Sequence, residues 1–338
     1  MSEPSKAPSA GAGAIDFDIE HDTEYEYSTQ VAFAQHLAHL TPVGAPGQSV
    51  EDFVLEVQPR PALLHSSVDF FGNLRTVFSL SVAHESLRVR ARSRVHLEPR
   101  FDGIDLDAGP AWEEVRDSLQ FVAGKAYHPE AEFSFASALV RRDPALAEYA
   151  RVSFPAGRPI LAGAADLMRR IHRDFRYDVS STDVSTPVLE AFAARAGVCQ
   201  DFTHVMIGCL RSLGLSARYI SGYLYTQPRH APIAAQVAAA PAGESKREPP
   251  PGGSMENPEK KDVAPVVGAA ASHAWVSVYS PQAGWVEFDP TNDAIPGTGH
   301  IRLASGRDYG DVAPLRGVVQ GGGEHELRVA VRVTPANA

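Results

Sequence analysis

Cys199 is the residue with the clearest chemistry in this sequence. It stands in the run Gly197-Val-Cys199-Gln-Asp-Phe202, directly after a glycine that stops one helical stretch and at the start of another. A thiol at a helix N-terminus feels the positive end of the helix dipole and the unpartnered backbone N–H groups, and both favour the thiolate. The same N–H groups can hold an oxyanion. A core position is the ordinary fate of a cysteine, so this residue alone decides little. The only other cysteine, Cys209, falls on the apolar stripe of the same helix and is expected to be inert. Ten residues apart on one helix, the two sulfurs are separated by about 15 Å along the axis and cannot bridge. Two cysteines are also too few for a structural zinc site built on thiolates.

Two further segments supply a base and a residue to orient it. In His273-Ala-Trp-Val-Ser-Val-Tyr279 the residues alternate, with Ala274, Val276 and Val278 on one face and His273, Trp275, Ser277 and Tyr279 on the other. In Trp285-Val-Glu-Phe-Asp289-Pro-Thr-Asn292, residues Trp285, Glu287 and Asp289 share a face. The link Ser280-Pro-Gln-Ala-Gly284 suits a hairpin turn. With Tyr279 opposite Trp285, His273 and Asp289 become diagonal neighbours about 7–8 Å apart at the backbone, within reach of an imidazole–carboxylate hydrogen bond. Singly, a structural histidine and a turn-capping aspartate before Pro290 are the commoner readings. Together with Cys199 they make a nucleophile, a base and a residue that orients the base. Trp275 and Tyr279, on the face of His273, are candidates to bind substrate. The backbone N–H of Cys199 is one expected oxyanion donor. Gln200 is a candidate for the second, although a polar first-turn residue is the preferred reading of it. Asp201 reads as a partner of the helix dipole. His204, about 140° around the helix from Cys199, cannot pair with it from the same face.

These side chains need elements to hold them. Phe202, Val205, Met206, Cys209, Leu210 and Leu213 mark one buried side of a helix over 199–213, with Gly214 as its C-cap. A strand is expected over 217–224. Upstream, Thr186-Pro187 reads as an N-cap and first helical position of a helix that Gly197 ends. Helices are also expected at 159–174, near 145–150, and around Trp112, Val115, Leu119 and Val122. Near the N-terminus two strict alternations stand out. Asp16 to Tyr27 puts Asp16, Asp18, Glu20, Asp22, Glu24 and Glu26 on one face; Leu87 to Leu97 puts Arg88, Arg90, Arg92 and Arg94 on one face. Opposed charges favour cross-strand neighbours, so these two strands are expected to be adjacent. Val54–Val57, Val77–Val82 and the turn Asp69-Phe-Phe-Gly-Asn73 complete a β region, expected to be a sandwich. Residues 1–14 read as a disordered tail and 227–271, rich in Pro and Ala without an aromatic residue, as a disordered insertion.

Composition narrows the function classes. The chain has 338 residues, 44% hydrophobic and 21% charged, with a formal net charge of −10. An acidic chain repels phosphate backbones, so nucleic acid is not an expected partner. No apolar run is long enough for a bilayer and no secretory h-region is visible, so no membrane association and a cytoplasmic protein are expected. No cofactor is implied, and no ligand cluster for calcium is visible.

The runs Gly197–His204, Gly214–Leu224, His273–Tyr279 and Gly284–Asn292 together resemble the bacterial transglutaminase-like family, of the papain-like cysteine-hydrolase superfamily. Asp174-Phe-Arg-Tyr177 and Thr182–Pro187 are similar to that family's approach to its cysteine. His21–Tyr25 with Asp69–Asn73 is similar to its companion β domain, and Gly306–Gly317 with Gly321–His325 to its closing segment. The resemblance implies an α+β fold: an N-terminal antiparallel, sandwich-like β domain (15–98), a helical connector (99–158), a catalytic core (159–305) whose Cys-bearing helix packs on an antiparallel sheet, and a closing segment (306–338). It matches Cys199, His273 and Asp289 to the family's catalytic residues and implies acyl transfer from a peptide or protein amide. Hydrolysis is the favoured outcome; transfer to a lysine amine, or a non-catalytic interaction protein on the same fold, are the alternatives.

Overall fold

The computed structural model describes residues 13–120, 122–124, 126–226 and 272–336. The expected tail, up to residue 12, and the expected insertion, 227–271, lie outside the described residues. In chain order the elements are β1 (Ile15–Ala38), β2 (Gln48–Gln58), β3 (Leu63–Val68), β4 (Leu74–Leu80) and β5 (His84–Leu97). Then come α1 (Trp112–Ser118), a 3-10 turn (Pro129–Ser134), α2 (Pro144–Arg151), α3 (Ile160–Asp174), β6 (Arg176–Tyr177), α4 (Val188–Ala194), β7 (Ala196–Gly197) and α5 (Cys199–Ser212). The chain continues with β8 (Ala217–Leu224), β9 (His273–Ser280), β10 (Gly284–Phe288), β11 (His300–Gly306), α6 (Tyr309–Val312), β12 (Leu315–Gly321) and β13 (His325–Pro335).

The first sheet is organised by β1, which is long enough to serve two sets of neighbours. Its first half lies between β5 and β13, its second half between β4 and β12. The register breaks between Glu26 and Val31. Val31, Ala34, Phe78 and Leu80 from one half pack with Val57, Leu87 and Val89 from the other, which makes the region sandwich-like around a strand common to both halves. The two last strands of the chain thus complete the sheet that the first residues begin.

The expected pairing of the two charged strands is met in register: Asp18 faces Arg94, Glu20 faces Arg92, Asp22 faces Arg90 and Glu24 faces Arg88. Arg94 Nε lies 2.8 Å from Asp18 Oδ1 and Arg90 Nε 2.8 Å from Asp22 Oδ1. Each such surface pair contributes only about 0.2–1 kcal/mol. Their effect is on register, because a slip of one residue would put carboxylates into the apolar face. That face carries Phe17 and Ile19, which join Val95 and Leu97 against Tyr223, Ile301 and Leu303 of the second sheet. One apolar cluster therefore holds the two sheets together.

The second sheet is antiparallel in the order β10-β9-β8-β11. Trp285 pairs with Tyr279, the register expected from the length of the turn. Helix α5 packs against β8 and β9 and is flanked by α2, α3 and α4. It is buried on all sides from Gln200 to Arg211, not on one side as its apolar stripe implies. The polar residues of its supposed outer face are satisfied inside the protein. Arg211 donates to the carbonyls of Phe133 (2.9 Å), Ala217 (2.8 Å) and Arg307 (2.7 Å). Among the described residues no helix is long and apolar enough to cross a membrane.

The approach to α5 differs from expectation in two details. Helix α4 begins after Pro187, and Thr186 Oγ1 instead accepts the backbone N–H of Asp183 at 2.9 Å. The helix ends at Arg195, in the left-handed region at φ 51°. A non-glycine residue there is strained. The Arg195 guanidinium packs over the rings of Phe192 (4.1 Å), Tyr149 (4.6 Å) and Phe175 (4.8 Å), contacts that help to offset the strain. Gly197 lies in β7 and leads into the next helix.

Candidate active site

Cys199 is the first residue of α5 and is partly exposed. Its helix is fixed at that end by Asp201, whose Oδ2 accepts the Val198 N–H at 2.8 Å and the Thr182 hydroxyl at 2.6 Å. Asp201 is thus a cap rather than only a dipole partner. Burial pushes its carboxyl up, and these donors oppose that. Gly197 is required for this arrangement, since a Cβ there would lie 2.6 Å from Asp201 Cβ and 2.5 Å from its Oδ2. Cys209, fully buried, has its thiol pushed up to about 12 by burial.

His273 opens β9 and Asp289 follows β10, in a turn closed by Asp289 N–H to Ala294 O at 2.8 Å. Both side chains are fully buried, and His273 Nε2 lies 2.8 Å from Asp289 Oδ2. A carboxylate can only accept, so this nitrogen carries the proton. Burial opposes a charge on His273, but Asp289 outweighs it and Cys199 adds to the effect, so the imidazole is raised to about 10. Burial likewise resists the charge of Asp289, and His273 and His300 outweigh it, holding the carboxylate well below its usual range. Nδ1 of His273 has no nitrogen or oxygen partner, and Cys199 is the side chain beside it that acts on the imidazole.

Asp289 has more donors than the sequence suggested. Oδ1 accepts the backbone N–H of Thr291 (3.0 Å) and of Asn292 (3.3 Å). Besides His273, Oδ2 accepts Asn292 Nδ2 (2.8 Å) and His300 Nε2 (3.1 Å). Asn292 carried a visible signal, a turn residue three places after an aspartate. His300 carried none: it lies beyond a loop, and nothing in its neighbourhood fixes its face. Next to Asp289, the fully buried Glu287 pairs with Arg302 and, at 3.6 Å, with Arg100, which ties β10 to β11 and to the end of the first sheet.

Three expectations about neighbouring residues are corrected. Gln200 donates its amide to Val184 O at 3.1 Å, so it is engaged away from an oxyanion role. Trp275 is 0% exposed, with its ring against His273 (6.0 Å) and His300 (5.3 Å), and supports the site from behind rather than touching a substrate. Tyr279 packs on Trp285 at the opposite end of β9 from His273, about 20 Å away at strand rise. His204 accepts the Tyr309 N–H at 3.1 Å, consistent with its pointing away from Cys199.

The ligand atoms of His273, Asp289 and His300 lie within 4.8 Å of one another, as do those of Asp16, Glu51 and His96 at the surface. Two histidines and a carboxylate are a donor set that divalent metals accept. In the first cluster, however, the protons of both imidazoles and of Asn292 converge on Asp289 Oδ2, so the cluster closes on itself. In the second, Asp16 and His96 pair directly at 2.6 Å.

The support behind His273 is tight enough to test. Gly222 on β8 pairs with His273, and a Cβ there would lie 2.1 Å from Ile301 O and 2.4 Å from the Trp275 ring. A backbone carbonyl cannot yield cheaply. Gly222→Ala is expected to lower stability by about 2–3 kcal/mol, read from urea unfolding midpoints; an unchanged midpoint would show that β8 and β11 can separate.

Residues 17–96 match the bacterial transglutaminase-like N-terminal region, and residues 151–290 match the transglutaminase-like superfamily. An uncharacterized protein of Mycobacterium tuberculosis is 35% identical over 343 residues, covering 99% of this chain and 98% of its own. One of Mycobacterium leprae is 28% identical over 326 residues, covering 94% and 97%. A solved structure from Cytophaga hutchinsonii, described as a candidate cysteine protease, superposes with a TM-score of 0.66 at 18% identity over 97% of this chain and 92% of its own, a likeness of fold. By its two matched regions, its full-length relatives and its fold, this chain belongs to the bacterial transglutaminase-like family.

Proposed function

We propose that this protein is a cysteine-dependent acyl-transfer enzyme acting on a carboxamide, with Cys199 as nucleophile, His273 as proton carrier and Asp289 as the residue that orients His273. The observation that carries the reading is the fully buried His273–Asp289 hydrogen bond at 2.8 Å, with His273 raised to about 10 and its other nitrogen left for a thiol at a helix N-terminus. Such a histidine is charged at neutral pH and supports a thiolate beside it.

In the forward step the thiolate attacks the carbonyl carbon and the C–O π pair moves to oxygen. The first-turn N–H of Cys199, which a helix leaves without an intrahelical partner, is placed to receive that oxyanion. When the tetrahedral adduct collapses, His273 gives its Nδ1 proton to the leaving amine and a thioester remains on Cys199. A water that loses its proton to His273 then releases the acid. Hydrolysis is the favoured outcome because water is always present, whereas transfer to a lysine requires a site that holds the amine.

The test is the pH dependence of Cys199 alkylation by iodoacetamide, resolved from Cys209 by mass spectrometry. The wild type is expected to keep its rate down to a pH of about 6. In His273→Ala the rate is expected to fall with pH as an ordinary thiol's does, roughly tenfold per unit below about 8.5. An ordinary profile in the wild type would overturn the reading.

A further inference from the structure

His300 has no task in the mechanism above, yet it touches the same carboxylate oxygen as His273. Its Nε2 lies 3.1 Å from Asp289 Oδ2, against 2.8 Å for His273 Nε2. Since the carboxylate only accepts, both imidazoles donate to it, alongside Asn292 Nδ2, and share in offsetting its negative charge. We propose that His300 is a positioning residue: by donating to Asp289 Oδ2 it fixes that carboxylate and sets the pH range over which Cys199 and His273 stand as an ion pair. The inference rests on the catalytic reading above and deepens it.

The geometry shows that His300 is itself held. Its ring meets Trp275 edge-on at 82° and 5.3 Å. Its carbonyl accepts Arg100 Nη2 at 2.8 Å, and the same nitrogen reaches Gly297 O at 3.3 Å. Two residues further on, β11 is irregular, with a register shift against β8 between Arg302 and Ala304. The backbone exposed there is bound by a side-chain amide: Gln48 Nε2 donates to Arg302 O at 2.8 Å, and Arg302 N–H donates to Gln48 Oε1 at 2.8 Å. Gln48 belongs to β2 and Arg100 follows β5, so the first sheet fixes the strand that delivers His300. The charged and titratable groups facing this corner among the described residues are Cys199 from α5, Arg218 from β8, His273 from β9, Glu287 from β10, Asp289 after it, Arg302 on β11 and Arg100. Glu287 is paired with Arg302 and Arg100. That leaves His273 and His300 as the titratable donors to Asp289, beside the neutral donors of Asn292 and Thr291.

The sign of the effect follows. Without the His300 donor, Asp289 carries more unshared negative charge. A more negative neighbourhood holds protons more tightly on both Cys199 and His273. The whole alkylation profile of Cys199 then moves to higher pH.

The experiment compares that profile, read by mass spectrometry with iodoacetamide, in wild type, His300→Gln and His300→Ala. Glutamine keeps an amide N–H at similar reach; alanine does not. The acid limb is expected to move up by about half a unit or more in His300→Ala and to stay near wild type in His300→Gln. His300→Leu, which fills the space without a donor, replaces the alanine variant if that variant does not fold. An unmoved limb in the variants without a donor, with the wild type reactive at low pH, would overturn the role of His300 and leave the catalytic reading standing. An equal shift in His300→Gln would overturn it as well, since bulk rather than the donor would then matter. An ordinary thiol profile in the wild type would overturn both.

Discussion

Replacing Asp289 with asparagine is expected to slow acyl transfer from an amide substrate to Cys199 by roughly a thousand- to ten-thousandfold. It is also expected to lower stability by about 2–3 kcal/mol. The reason lies in the donors and acceptors. Every partner of Asp289 donates: Thr291 and Asn292 N–H to Oδ1, and His273, His300 and Asn292 Nδ2 to Oδ2. An asparagine amide must turn its NH2 toward one of these two groups of donors. If it faces the imidazoles, His273 can no longer keep its proton on Nε2 toward residue 289, and the tautomer with Nδ1 toward Cys199 deprotonated is lost. If it faces the turn, two backbone N–H groups are buried without an acceptor. Neither rotamer restores the charge that raises His273 to about 10.

That loss of charge gives the prediction a second reading. The pKa of the His273 imidazole is expected to fall in Asp289→Asn, because the anion that outweighs burial is gone. Resolving the ring carbon signal by NMR across pH 5–10 in both proteins would follow it. A His273 that still titrates near 10 without the carboxylate would mean that Cys199 alone holds its proton, and the role assigned to Asp289 would be wrong. The expected cost in stability is separable, because urea unfolding reports it without reference to any substrate.

Much of this site was legible because two local rules act on it. Period two placed His273 and Asp289 on one face, and the five-residue turn fixed Tyr279 opposite Trp285. The same rule, with charge, paired β1 with β5. What stayed hidden depends on partners distant in sequence. Arg211 lies off the apolar stripe of its helix, and only the tertiary fold brings the carbonyls of Phe133 and Arg307 to it. Trp275 shares a face with His273, but parity cannot say that β11 covers that face. His300 reaches Asp289 only because Gln48 and Arg100, some 200 residues or more upstream in sequence, hold its strand. Gly197 looked like a helix stop because glycines usually are; its reason is the space that Asp201 needs. The last two strands find β1 across nearly the whole chain, and alternation alone names no partner for them.

Acid is expected to destabilise this protein well before its carboxylates are protonated. His21 and His204 are each 2% exposed, and burial lowers both to about 4. His204 is committed to the neutral form by its partner, since its Nε2 accepts the Tyr309 N–H at 3.1 Å and has no place for a proton. Their folded values lie below the unfolded histidine value of about 6.5, so the unfolded chain binds the extra protons between the two. The stability they contribute is therefore present above about 6.5 and is lost as pH falls toward 4. Each such group gives a slope of about 1.4 kcal/mol per pH unit at its steepest and about 3 kcal/mol in total, and His36, which burial also lowers to about 4, adds a third of the same sign. His273 acts in the opposite sense: raised to about 10, it stabilises the folded state below 6.5 and loses that contribution as pH rises toward 10. Stability should then peak between about pH 6 and 7. Urea midpoints taken from pH 4.5 to 9 would trace both limbs. His204→Gln, which keeps an acceptor for Tyr309 but cannot titrate, is expected to remove about 1.4 kcal/mol per unit from the acid slope. An acid slope unchanged in that variant would mean that His204 takes up its proton in the folded protein as readily as in the unfolded chain, with the bond it accepts from Tyr309 breaking as pH falls through about 6.5 rather than holding to lower pH.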